Sequence, residues 1–509
     1  MFDTLIAAIP IILVLILMLG LRWGTARAGP AGWAAALVIA AFRFGAGLPV
    51  LVVAQGKALL LGLDVLLVVW AAYGMYRVAH EAGAIEVVSR TISALTVDRA
   101  MHALMIGWAF ASFLQGVGGY GVPVAVTAPL LLGLGFSPLQ AMVIPSVGHA
   151  WAVTYGSVAA SFQALMAASG LEGSVLAPPT SLLLGAAALA CGVGVLHAAG
   201  GWVEVRRHVW TLLAMGLTMG GLQAWLAGQG LWSAAAFGAG LAGIVIAVGL
   251  ARRRGRAAPT GEPAPSAGDL ALAWAGYAIL VGLILVVQFA PSVRQTLSPV
   301  QLRVVFPAVA TARGYVSPAQ AGRTIAWLVH PGTLLTLAAA ASYLLYRTFG
   351  RLRPGAGGRV LRATVGRMGD SGLGVASMVS MAVIMDHAGM TAALASGLAA
   401  AFGGLYPLAA PWIGALGAFM TGSNTNSNAL FTSLQQGTAL VLGLPVPAIL
   451  AGQTAGAAVA SVLAPTKLLV ASGTVGLGGQ EGSILRRLAV YLIPILLGLS
   501  VLVLVLASR

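Results

Sequence analysis

The feature that most constrains this chain is a set of apolar runs, each near the roughly 20 residues a helix needs to cross a bilayer. They lie at Leu5–Leu21, Leu59–Val78, Leu182–Ala198, Val209–Ala227, Leu231–Leu250, Ala271–Phe289, Ile325–Tyr346 and Leu488–Leu506. A chain with this many such runs places its helices in hydrocarbon. Composition agrees: of 509 residues, 59% are hydrophobic and only 8% charged, where a soluble domain has about 25% charged. Soluble-enzyme, disordered and nucleic-acid-binding readings are thereby excluded. The 27 basic residues against 12 acidic ones then mark cytoplasmic loops, not a nucleic-acid partner.

Shorter or interrupted apolar segments lie between the long ones, at Gly32–Phe44, Met101–Phe113, Val122–Leu134, Leu139–Ala168, Gly372–Asp386, Ala392–Phe402, Ile413–Met420, Ala429–Leu442 and Pro447–Ser472. Many of the 68 glycines and 24 prolines fall inside them. A bilayer tolerates broken helices only where they are buried in protein or line a cavity. Leu5–Leu21, followed by Arg22 and Arg27, reads as a span and not as a removable leader. The arginines at 22/27, 206/207, 252–256, 347–367 and 486/487 assign those loops to the cytoplasm and both termini to the opposite side. The loop Pro291–Arg323 falls on the outer side. Residues 257–268 (AAPTGEPAPSAG) read as a flexible linker near the midpoint.

A weak repeat flanks that linker. FLQGVGGYGVP (Phe113–Pro123) precedes an apolar segment and GFSPLQA (Gly135–Ala141); FMTGSNTNSNA (Phe419–Ala429) precedes another and GLPVPAI (Gly443–Ile449). A small-residue segment with an internal break follows each, at Gly148–Ser161 and Gly456–Pro465. Matched interruptions in two halves are the pattern of inverted-repeat transporters with a midplane site on discontinuous helices. The expectation is an all-α polytopic membrane protein of roughly 12–14 transmembrane segments, made of two inverted repeats with re-entrant hairpins. Residues 1–250 form the first repeat, 251–268 the cytoplasmic linker and 269–509 the second repeat.

Both broken motifs carry chemistry. Glycine costs about 1 kcal/mol against alanine inside a helix, so Gly116, Gly118, Gly119 and Gly121 with Tyr120 mark a hairpin tip, and Pro123 suits the next helix's first turn. Ser423, Asn424, Thr425, Asn426, Ser427 and Asn428 are six consecutive hydroxyl or amide side chains, costly in hydrocarbon without partners. Freed N–H groups and half-helix N-termini at such tips can hold an anion. Lys467, one of two lysines, is either a counter-charge for that anion or a snorkelling side chain. Asp64 and Asp386 sit inside apolar stretches, where they carry protons or pair with Arg43 or Lys467; His149 and His387 are further intramembrane groups. His80-Glu81 lacks the second histidine of a zincin, the glycines follow no strand, and Cys191 stands alone. No enzyme, cofactor or metal centre is expected.

The stretches Ala94–Ala141, Gly414–Ala439 and, more faintly, Ala464–Gly482 resemble the bacterial lactate permeases, the L-lactate/glycolate permease family of the ion-transporter superfamily. The resemblance implies a proton-coupled importer of small 2-hydroxy monocarboxylates working as an elevator, multi-pass in the bacterial inner membrane. Its loop residues carry over to Gly116, Gly118, Gly119, Tyr120, Gly121 and Pro123, and to Thr421, Gly422, Ser423, Thr425, Ser427 and Asn428. Two departures stand out. Gln115 and Asn424 occupy positions where the family usually has acidic residues, and the lysine falls at Lys467, not near Ser461. Amides bind but do not titrate near neutral pH. The substrate-site candidates are therefore both tips, including Gln115, with Lys467; the proton candidates are Asp64, Asp386 and His149. Partners are a small organic anion, a proton and the lipid bilayer, and a homo-oligomer is compatible with this reading. A dicarboxylate or inorganic-anion carrier, an uncoupled facilitator and a non-transporting membrane sensor are the alternatives.

Overall fold

The computed structural model describes residues 2–508 except 22, 94–95, 97, 120–121, 254–264, 323, 465–466, 469–471, 473–474 and 478–479. The first half begins with α1 (Phe2–Leu15), α2 (Thr25–Phe42), α3 (Leu48–Glu81) and α4 (Ala84–Ser93). Asp98 caps α5 (Arg99–His102), which continues through a π-helical stretch, Ala103–Phe110, into α6 (Ala111–Val117). Then come α7 (Val122–Gly133), α8 (Pro138–His149) and α9 (Gly156–Ser169). Ser137 and Gln140 form a reciprocal capping box that starts α8. Three long helices close the half: α10 (Gly173–Arg207), α11 (Val209–Gly228) and α12 (Trp232–Arg253).

Ser266 and Asp269 cap α13 (Ala267–Phe289), followed by α14 (Pro291–Leu297), α15 (Pro331–Thr348), α16 (Ala356–His387) and α17 (Met390–Phe402). The half ends with α18 (Tyr406–Thr421), α19 (Asn424–Val441), α20 (Val446–Ala460) and a C-terminal helix, Glu481–Ala507. Around the expected linker, α12 runs to Arg253 and α13 starts at Ala267, while residues 254–264 lie outside the described residues.

Boundaries on both sides of α15 differ from the sequence expectation. The loop after Pro291 contains nested antiparallel pairs of two-residue strands: β1 (Gln301–Leu302) with β6 (Ile325–Ala326), β2 (Val305–Phe306) with β5 (Gln320–Ala321), and β3 (Val309–Ala310) with β4 (Val316–Ser317). Ile325 is thus a strand residue, and the helix expected from it starts at Pro331, where His330 accepts the Gly332 N–H. On the arginine-rich side, Arg359, Arg362 and Arg367 ride on α16 itself.

Among the described residues, seven helices are long and apolar enough to cross a membrane. Lipid tails are as apolar as leucine, so helices in a bilayer associate through close packing and hydrogen bonds. The same crossing recurs in each half. A Cβ on Gly148 of α8 would lie 2.0 Å from the Gly107 carbonyl oxygen, and one on Gly456 of α20 would lie 2.0 Å from that of Pro411. Two backbones touch in each case, so only glycine fits. Trp108, Trp151, Tyr155 and Phe162 are fully buried around the first crossing.

Candidate functional site

Each half brings a helix to a tip, turns, and starts another. In the second half Gly422, at φ 70°, ends α18 in the left-handed conformation that glycine adopts without penalty. Ser423 then caps α19 by accepting the Asn426 N–H. In the first half α6 stops at Val117, and Gly119 has φ 60°. A Cβ there would fall 1.8 Å from Ser157 Oγ. Gly116 is set by packing, with the Phe237 backbone nitrogen 2.3 Å from where its Cβ would be, and Gly118 lies against Tyr76. Tyr120 and Gly121 lie outside the described residues.

Both tips meet one broken segment. After α8 the chain passes through a 3-10 turn, Ala150–Ala152, and Ser157, Val158 and Ala159 are left-handed at φ 47°, 56° and 65°. Left-handed geometry costs an L-residue about 1–2 kcal/mol, so the surroundings must enforce this turn. Gln115 reaches Gly156, its Nε2 only 2.5 Å from where a Cβ would be. From the other side, Asn424 Nδ2 donates to Thr154 Oγ1 (3.1 Å) and the Thr454 carbonyl (3.2 Å). Asn428 Nδ2 donates to the Ser161 carbonyl and to Thr454 Oγ1, both at 2.9 Å. Ser161 Oγ and Thr425 Oγ1 share a hydrogen bond of 3.0 Å. Ser427 Oγ donates to the Gly414 carbonyl (2.7 Å) and accepts from Gln453 Nε2 (3.1 Å).

The expected polar cluster is therefore buried and mostly partnered. Among the described residues, four of its neighbourhood's acceptors are not: Gln115 Oε1, Asn426 Oδ1, Asn428 Oδ1 and Thr432 Oγ1. An unpartnered buried acceptor costs about 1–3 kcal/mol, so these atoms are suited to a ligand that donates. The first N–H groups of α19 favour negative charge at the same end. The arrangement thus offers anion-binding donors beside acceptors for a hydroxyl.

Lys467 is turned inward at 7% exposure and donates to Ser461 Oγ at 3.3 Å, so it does not snorkel. It lies close enough to the buried His149 to interact electrostatically. The expected partners of the two aspartates are corrected. Asp64 receives a hydrogen bond from His330 Nε2 at 3.1 Å, Arg43 pairs with Asp3, and Asp386 lies beside Lys57 and His387. Sequence reasoning passed over Thr154, Thr454, Lys57 and His330, which reach their partners across long chain separations. One signal was readable: Asn424, Asn428, Thr432 and Gln435 recur at helical spacing and mark one polar face of α19.

The L-lactate permease family model matches residues 3–508. The chain belongs to the L-lactate permease family. Family members among its relatives include the L-lactate permease of Streptococcus iniae, 28% identical over 73% of this chain and 77% of that one. The glycolate permease GlcA of Escherichia coli K12 is 24% identical over 95% of this chain and 92% of its own. The solved YdaH transporter of Alcanivorax borkumensis matches with a TM-score of 0.49 and 16% identity, covering 91% of this chain and 88% of that one. As a member of a permease family, this polytopic membrane protein is a transporter and not an enzyme.

Proposed function

We propose that the protein is a secondary transporter of small 2-hydroxy monocarboxylates such as lactate or glycolate, working in the bacterial inner membrane. One observation carries this reading: two helix tips from opposite halves converge on a single broken segment, around a buried polar cluster in which four oxygens lack partners among the described residues. The substrate carboxylate binds the first backbone N–H groups of α19, beside the Thr425 hydroxyl. The 2-hydroxyl donates to Asn428 Oδ1 or Gln115 Oε1. Lys467 adds positive charge to this side of the protein. The halves 1–250 and 269–509, joined by the linker 251–268, act as inverted repeats with re-entrant hairpins, and the tips move together against a scaffold.

The recurring helix–tip–helix order and the paired glycine crossings support the repeat. Import of a monoanion against an inside-negative potential is opposed by about 2.3 kcal/mol per 100 mV, and one co-transported proton removes that cost. Proton coupling therefore belongs to this reading. The competing facilitator reading draws on Gln115 and Asn424, which cannot titrate at the tips. Counterflow of radiolabelled lactate, glycolate, succinate and sulfate in proteoliposomes tests the substrate. Exchange of 2-hydroxy monocarboxylates is expected; exchange confined to succinate or sulfate would overturn the assignment.

A further inference from the structure

A second ionisable centre lies beside the tips. Lys57 of α3 places its Nζ 2.9 Å from Nε2 of His387, at the end of α16. The other ring nitrogen, Nδ1, is 2.9 Å from the Val383 carbonyl oxygen. A carbonyl only accepts, so Nδ1 carries the proton, Nε2 is the acceptor and Lys57 is the donor. His387 is thus neutral beside an ammonium. Asp386, next in the chain, supplies the carboxylate near Lys57. Burial is graded: the His387 side chain is 4% exposed and Lys57 8%, but the Asp386 side chain is 46% exposed. The acid is the most exposed of the three groups, and the other two are buried. The strand segment closes over them, with the Phe306 ring centre 5.8 Å from Lys57 Nζ and Tyr315 packed on Gly389.

The surroundings hold few competing charges. On α2, Trp33 donates to Gln55, which donates to Ser380 of α16, at 3.1 and 3.0 Å. Arg43 and Arg313 both turn to Asp3, and Asp64 is held by His330. The sequences of α9, α17 and α19 contain no ionisable residue. The centre also touches the substrate region through packing. Ala58, beside Lys57, shares an apolar cluster with Ala164 of α9 and with Ala429, the residue after Asn428.

We infer that Lys57, Asp386 and His387 form the proton-coupling centre of this permease. The inference rests on the transport reading above and adds the groups that carry the proton. With Lys57 charged and Asp386 ionised, the centre is neutral. One proton taken up at the Asp386 carboxylate leaves a net charge of one beside the tips, which matches a bound monoanion. Proton and anion then cross as a neutral load, and the proton leaves from the same carboxylate.

The test is lactate uptake into proteoliposomes at zero membrane potential, with a pH-sensitive dye reporting proton entry. One proton per anion gives about tenfold accumulation for an inward gradient of one pH unit. Asp386→Asn is expected to bring the accumulation ratio to unity and abolish proton entry, while lactate counterflow persists. Asp386→Glu, which keeps the acid, retains coupling and shows that the site tolerates replacement. Lys57→Met is expected to uncouple as Asp386→Asn does. Undiminished pH-driven accumulation by Asp386→Asn, or none by the wild type, overturns the inference. Loss of coupling in Asp386→Glu as well assigns the residue a structural role and also overturns it. Absence of wild-type counterflow with every 2-hydroxy acid is a separate result: it removes the substrate reading and the coupling built on it.

Discussion

At the residue scale the site is defined by what its amides still lack. Asn424 and Asn428 tie α19 to Thr154, Ser161 and Thr454, while Asn428 Oδ1 stays unpartnered. Asn424→Ala and Asn428→Ala are each expected to weaken lactate binding by about 1–3 kcal/mol, read as the half-saturating concentration for counterflow. Unchanged values in both would make the cluster purely structural. The left-handed turn gives a second prediction. Ala159 at φ 65° pays about 1–2 kcal/mol, more than its buried methyl returns at about 0.8 kcal/mol. Ala159→Gly is therefore expected to leave thermal stability in detergent unchanged or raised. Ala160→Gly, at a position without positive φ, is expected to lower it by about 1 kcal/mol. Equal destabilisation by both would remove the strain from the description. The six-residue polar run was legible in the sequence because polar side chains in an apolar background are costly. Its partners were not, because Thr154 and Ser161 are ordinary residues until the fold seats them opposite.

At the element scale, helices from the two halves are also clasped on the arginine-rich side. Glu81, at the end of α3, accepts from Arg359 at the start of α16, with nitrogen–oxygen distances of 3.0 and 2.8 Å. This hydrogen bond, aided by the charges of Arg359 and Arg77, holds the Glu81 carboxyl below its ordinary value of 4.5. The sign follows: a depressed carboxyl contributes stability that is complete above the unfolded value and lost as pH falls through the folded one. Arg359 is 44% exposed, so the contribution is on the order of 0.2–1 kcal/mol. Arg359→Gln is expected to lower the unfolding temperature near neutral pH and to converge on the wild type as pH falls through the folded Glu81 value. A difference that persists in acid would assign Arg359 to packing. Existence of α3 and α16 was legible from their apolar runs, but their reach was not. Both extend beyond the runs, to Glu81 and back to Ala356, because an exposed polar turn continues a helix at little cost when its side chains find partners.

At the scale of the molecule, the topology expected from the arginine distribution sets the strand segment and the arginine-rich ends on opposite sides of the membrane. Cys191 is the single cysteine and is buried, so it can be replaced to give a thiol-free background. In that background Val305→Cys, at a residue 67% exposed, is expected to react with an impermeant maleimide added to spheroplasts. Leu361→Cys, at a residue 65% exposed, should react only after the membrane is opened. The reverse pattern would invert the topology and with it the side from which Asp386 is reached.

The sequence alone determined that this chain lives in a bilayer, that its helices break in two matched places, and that the breaks carry glycines and amides. These are local properties: hydropathy, helix propensity and the cost of burying polar groups act on contiguous residues. Only the tertiary structure decided that both tips meet at residues 154–161, that Asp64 belongs to His330, and that Lys57 stands against His387. Those pairs lie 266 and 330 positions apart. No periodicity or composition encodes such pairings, because they depend on how helices cross. The crossings in turn are set where glycine lets one backbone touch another, as at Gly148 on Gly107 and Gly456 on Pro411.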